Sequence, residues 1–91
     1  MRYELDFTDK AKKQFDKLDK YAQKQIRQYL DRHFADKSND PRSHGKPLTG
    51  KLKGYWRYEV GTYRIVCDIQ DNVCIVLVVK IGHRKDIYRT Q

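Results

Sequence analysis

The chain has 91 residues, with 20 Lys and Arg against 12 Asp and Glu, a formal charge of +8. That length allows one small domain, residues 1–91, with a modest core, and no apolar run reaches the roughly 20 residues of a membrane span. The charge points to nucleic acid or an acidic protein as partner, with a merely solubilising basic surface as the plain alternative.

Met1 to Phe7 lacks the apolar stretch of a secretory leader, so a cytoplasmic location is expected. Cys67 and Cys74 have no His or Cys at metal-ligand spacing and read as core thiols.

Tyr3 to Phe7 alternates apolar and charged residues, the pattern of a half-buried strand. Thr8 or Asp9 can cap a helix carrying Ala11, Phe15 and Leu18 on one face. Asp19 can cap a second helix, whose stripe is Ala22, Ile26, Tyr29, Leu30 and Phe34. A short turn between them predicts an antiparallel helical hairpin. Asp36 to Gly50 holds two prolines and two glycines without periodicity and reads as a long loop, with Leu48 its only clear anchor to a core.

From Tyr55 the period becomes two. Tyr55–Val60, Tyr63–Gln70 and Val73–Ile81 read as strands joined by two-residue turns at Gly61-Thr62 and Asp71-Asn72. Those turns set Val60 opposite Tyr63, Glu59 opposite Arg64, Gln70 opposite Val73 and Cys67 opposite Val76. One face then carries Trp56, Tyr58, Val60, Tyr63, Ile65, Cys67, Ile69, Cys74, Val76 and Val78, and should pack on the helices. The other carries Tyr55, Arg57, Glu59, Arg64, Val66, Asp68, Ile75, Leu77 and Val79. The expected fold is α+β: an N-terminal strand, a two-helix hairpin and a three-strand antiparallel meander in one sheet.

Arg57 and Arg64 lie diagonally on the second face, and guanidinium forks match phosphate oxygens. The competing reading pairs Arg64 with Glu59 and leaves Arg57 free. Lys46, Lys51 and Lys53 lead into the first hairpin, where they either track a nucleic-acid backbone or form ordinary solvated surface. His83, Arg84 and Tyr88 form a second group after the last strand. RNA can be cut without a metal when a base takes the 2′-OH proton, cations hold the phosphate and an acid protonates the leaving 5′-oxygen. His83 can act as a base near neutral pH, Arg84 can stabilise charge, and Tyr88 can stack on a base or assist proton transfer. A surface histidine is the plain alternative for His83. His33, in a helix, and His44, in the loop, are weaker candidates. Carboxylate catalysis is disfavoured, because Asp68 and Glu59 share a face with arginines. No phosphate-binding glycine loop, zinc spacing or serine nucleophile motif is present, so neither metal nor cofactor is expected.

Four segments in this order carry a resemblance: Ser43-His44-Gly45-Lys46-Pro47-Leu48, Leu52-Lys53-Gly54-Tyr55-Trp56-Arg57, Gly61-Thr62-Tyr63-Arg64-Ile65 and Gly82-His83-Arg84-Lys85-Asp86-Ile87-Tyr88. Following a strand and two helices, they make the chain resemble the RelE toxins of the RelE/ParE toxin–antitoxin superfamily over essentially its whole length. The resemblance implies a RelE-like fold. It further implies a metal-independent, ribosome-dependent mRNA endoribonuclease that cuts in the ribosomal A site by attack of a ribose 2′-OH on the adjacent phosphate. Arg64 then matches an arginine on the scissile phosphate, Arg84 the arginine after the last strand, and Tyr88 a tyrosine stacked on mRNA. Arg57 falls where relatives carry a functional lysine, and His83 where histidine and lysine alternate. Lys46, Lys51, Lys53, Tyr55 and Lys85 are the expected RNA-binding residues, although Tyr55 replaces a second lysine and Glu59 an arginine of close relatives. The implied partners are a cognate antitoxin, the ribosome and A-site mRNA. The alternatives are a ParE-like gyrase inhibitor, which the trio His83, Arg84 and Tyr88 argues against, and a binding protein that kept the fold without catalysis.

Overall fold

The computed structural model describes residues 3–34 and 40–83. Among these are two α-helices and a five-stranded sheet. Strand β1 is Glu4–Phe7, helix α1 Asp9–Asp16 and helix α2 Lys20–Phe34; strands β2 to β5 are Lys46–Pro47, Trp56–Val60, Tyr63–Gln70 and Ile75–His83. The sheet order is β1-β5-β4-β3-β2. β1 lies parallel to β5, and every other pair is antiparallel.

Local chemistry explains the helices. Thr8 Oγ1 accepts from the Ala11 amide at 3.1 Å, and Asp19 Oδ1 from the Ala22 amide at 2.7 Å. Each thereby satisfies a first-turn N–H that has no partner inside its helix. Gln23 donates to the carbonyls of Phe15 and Leu18 at 3.0 and 3.1 Å, closing the turn between the helices. Leu18 falls just past α1 but still packs on the core. Ala22, Ile26, Leu30 and Phe34 are buried at every fourth position of α2, and Ala11 and Phe15 of α1 join them. They meet Tyr58, Val60, Ile65, Cys67, Val76, Val78 and Ile81 of the sheet. Beyond β1, the edge of β5 is covered from α1: Gln14 Oε1 accepts from the Ile81 amide at 2.7 Å, as an exposed strand edge requires.

The first hairpin has the expected register, with Val60 opposite Tyr63 and Glu59 opposite Arg64. The second does not. Its turn takes four residues, with Cys74 in the left-handed region at φ 54°, so Gln70 pairs with Ile75 and Cys67 with Val78. The register is thus displaced by two from the one expected. Two is the side-chain period of a strand, so the core face survives the error. Cys74 does not. It lies half-buried in the turn instead of in the core, while Cys67 is buried, and both thiols are free. A bulge between Val66 and Cys67 then shifts the pairing by one, placing Lys80 opposite Val66 and Ile81 opposite Ile65. Strict alternation would have pointed Lys80 into the core.

From Asp40 onward the loop is also more ordered than its composition implied. Pro41–His44 forms a 3-10 turn capped by Asp40, and Lys46–Pro47 pairs with β3. Leu48 is not its anchor. Pro41 is fully buried, and the Tyr58 hydroxyl donates to its carbonyl at 2.7 Å. Arg42 adds a surface tie. It bonds Asp71 at 2.5 Å, and the Tyr3 hydroxyl donates to the same carboxylate at 2.5 Å. Both contacts hold the Asp71 carboxyl below its usual range. N-terminal strand, loop and second turn are thereby joined.

Gly45 is dictated by the same packing: a Cβ there would lie 2.7 Å from Cε2 of the fully buried Tyr58 ring. Gly45→Ala is therefore expected to lower stability by about 1–3 kcal/mol. Urea denaturation measures it, and an unchanged midpoint would mean that the ring is not held against this backbone.

Candidate nucleic-acid interface

β3 and β4 bring the two arginines of the second face together. Arg57 lies opposite Val66, and Glu59 opposite Arg64. Glu59 Oε1 stands 3.3 Å from Arg64 Nη2 and 3.6 Å from Arg57 Nε. One carboxylate oxygen thus bridges both guanidinium groups, so the expectation that Arg57 would stay free is corrected. The arginine side chains are each 21% exposed and Glu59 49%. Such half-solvated ion pairs are weak and exchangeable.

The cationic character extends along one row. Lys46 pairs with Arg57, Arg57 with Val66 and Val66 with Lys80, across β2, β3, β4 and β5. With strands about 4.8 Å apart, the row spans roughly 14 Å. Lys80 is buried, and that burial together with Lys10 lowers its pKa. Its one signal in the sequence was a lysine inside an otherwise apolar run; the bulge that re-aims it leaves no such mark.

The remaining expected residues divide. Lys51 and Lys53 are exposed at the tip of the β2–β3 connection, and Tyr55 is half-buried beside it. His83 ends β5 opposite Tyr63, with ring centroids 6.0 Å apart. Tyr63 packs against the core, whereas Gly82 is the residue opposite Arg64. The register therefore sets His83 on the helix-facing side of the sheet and not on the face of the arginines. Arg84, Lys85 and Tyr88 lie outside the described residues.

A group that sequence reasoning ranked low sits next to the arginines. His33 of α2 lies with its ring 4.0 Å from that of His44 and 4.3 Å from that of Tyr29. The Tyr29 hydroxyl donates to the His44 carbonyl at 3.5 Å. Burial, then His44 and Arg32, push the His33 imidazole below its ordinary value of 6.5. Burial also raises the Tyr29 phenol, with Cys67 and Glu59 adding to the effect. The aperiodic loop hid the position of His44, because its neighbour strand β2 is two residues long.

Residues 5–88 match the family model described as ParE toxin of type II toxin-antitoxin system, parDE. Toxin RelG of Mycobacterium tuberculosis is 34% identical over 89 residues, covering 98% of this chain and 99% of that protein. Among solved structures, the toxin–antitoxin complex RelBE2 from Mycobacterium tuberculosis contains a chain that superposes with a TM-score of 0.77 at 27% identity, covering 92% of this chain and 100% of that one. A mutant of the E. coli toxin RelE in the free state superposes with a TM-score of 0.75 at 24% identity, over 98% and 93% of the two chains, a likeness of fold.

The His33 shift makes stability depend on pH. Its folded pKa lies below the unfolded one, so between the two the unfolded chain binds more protons. The contribution is complete above 6.5 and falls as pH drops toward the folded value. His33→Gln is expected to show a smaller loss of thermal midpoint than wild type between about pH 8 and about pH 5. Equal losses in the two proteins would contradict the assignment.

Proposed function

The chain belongs to the RelE/ParE superfamily of toxins from type II toxin–antitoxin systems, and from that premise we propose that it is a metal-independent endoribonuclease acting on mRNA in the ribosomal A site. The observation that carries this reading is the pair Arg57 and Arg64, spanned by one carboxylate oxygen. An RNA phosphate is the same kind of ligand, a negatively charged group with oxygen acceptors, and it can take the place Glu59 holds. Guanidinium donors then stabilise the charge that builds on the phosphate oxygens in the transition state.

In the proposed reaction the ribose 2′-oxygen attacks the adjacent phosphorus and the 5′-oxygen of the next nucleotide leaves. The 2′-OH proton passes to a base, and the leaving oxygen receives a proton. The products are a 2′,3′-cyclic phosphate and a 5′-hydroxyl. Arg64 is assigned to the scissile phosphate and Arg57 to the phosphate of the neighbouring nucleotide. Lys46, Lys51, Lys53, Tyr55 and Lys85 are assigned to RNA binding. Arg84 and Tyr88 complete the set by resemblance, as a second cation and a stacking ring. His83 is an imidazole able to exchange protons as general base, but its register on the helix-facing side gives it the smaller share.

The partner proposed for restraint is a cognate antitoxin, since several related structures are toxin–antitoxin complexes. An acidic antitoxin segment would suit the charge of +8. A gyrase-directed activity is the second reading, favoured by the ParE description of the matching family model.

Primer extension on mRNA after induction separates the two. Cuts within translated codons are expected. DNA breaks without RNA cuts would instead support the gyrase reading. Arg64→Ala is expected to reduce cleavage by about 10²–10³-fold, and His83→Gln by less. A His83→Gln loss as large as that of Arg64→Ala would overturn the ranking.

A further inference from the structure

Beside the arginine pair lies a pocket of about 160 Å³, lined by Tyr29, His44, Lys46, Arg57 and Glu59. We propose that it is a subsite for one nucleotide of single-stranded RNA, with the phosphate held by Lys46 and Arg57 and the base set against Tyr29 and His44. The inference rests on RNA being the substrate and adds a second nucleotide position next to the one at Arg64.

Four elements converge on the pocket: α2 supplies Tyr29, the 3-10 turn His44, β2 Lys46, and β3 both Arg57 and Glu59. The volume suits one planar heterocycle. Its aromatic wall is braced from outside. His33 is not among the lining residues, yet its ring stands 4.0 Å from His44 and 4.3 Å from Tyr29. On the other side, the Tyr29 ring meets buried Tyr58 edge-on at 6.5 Å. Little side-chain freedom then remains to be lost when a base arrives. Stacking on such rings tolerates any base, because every base has a π-face.

The charges are divided to match. Lys46 and Arg57 are partners across β2 and β3, close enough to grip one phosphate together. Glu59 repels phosphate from its own side of the pocket and keeps it toward Lys46. Its carboxylate can accept from the amino group of a base. Glu59 also touches Arg64. Arg57 and the Glu59–Arg64 pair are two residues apart along β3, roughly 7 Å, about one nucleotide step. A strand crossing the face from Arg64 therefore reaches the pocket with its next unit.

The test titrates the intact protein with inorganic phosphate, adenosine monophosphate and tri-adenylate, following the His44 ring and Lys46 signals by NMR. Adenosine monophosphate is expected to shift the His44 ring and to bind more tightly than phosphate. His44→Ala should weaken the mononucleotide about tenfold and leave phosphate unchanged, while Lys46→Ala weakens both. Tri-adenylate should bind more tightly than the mononucleotide, and Arg64→Ala should remove that gain. Equal binding of phosphate and mononucleotide, unaffected by His44→Ala, would overturn the base site. A trinucleotide no tighter than the monomer would overturn the place in an RNA path and leave a site for free nucleotides. None of these measurements uses ribosomes or cleavage. A protein that binds nucleotide at His44 but cuts no mRNA would remove the nuclease reading alone, and one that cuts mRNA without that binding would remove the subsite alone.

Discussion

The arrangement turns on Tyr58. Its side chain is fully buried and its hydroxyl donates to the Pro41 carbonyl at 2.7 Å. Burial, the largest of several influences, raises its pKa far above the ordinary range, so it stays a donor. An unmet hydroxyl at that depth would cost about 1–3 kcal/mol. Meeting it draws the segment from Asp40 onward over the sheet. Phe34 at the end of α2 packs edge-on against the same ring at 5.0 Å, and Gly45 passes so near it that no side chain fits. The segment then lies alongside β3, and two residues of it become β2. Lys46 reaches Arg57 for that reason, and His44 reaches Tyr29. A phenol in the core thus positions charged groups on the surface.

Those groups are held in tension with Glu59. Two arginines and a lysine near one another repel, and a single carboxylate between them lowers that cost. In the proposed reaction the same carboxylate must release at least one arginine to the phosphate. Its half-exposed position makes this possible, since a solvated ion pair of this kind contributes about 1 kcal/mol or less. A glutamate sealed in the interior would have held the arginines too firmly. At the ends of the basic row, Lys46 and Lys80 add positive charge beside that ion pair.

Much of this was legible in the chain because it follows local rules. Thr8 and Asp19 cap their helices as their chemistry dictates. The four-residue spacing of Ala22, Ile26, Leu30 and Phe34 marks the buried stripe. Gly61 turns at φ 59°, so the first hairpin closes as read and the arginines share a face. What escaped depends on contacts between distant residues. Asp71-Asn72 suggested a tight turn, but the chain closes two residues later at Cys74. The core list survived only because that displacement equals the strand period. The bulge at Val66 and Cys67 carries no local signature, yet it sets the faces of Lys80, Ile81 and His83. The order within Asp40–Pro47 comes from Pro41 and Gly45 packing on Tyr58, which no periodicity records.

The central claim is that this face directs a ribose 2′-OH onto the neighbouring phosphate of mRNA. The most direct measurement is the chemistry of the cut ends, taken by mass spectrometry after the purified protein is added to programmed ribosomes. The account predicts a 2′,3′-cyclic phosphate on the upstream fragment and a 5′-hydroxyl on the downstream one. A 3′-hydroxyl facing a 5′-phosphate, which requires water as nucleophile, would contradict it, as would intact mRNA.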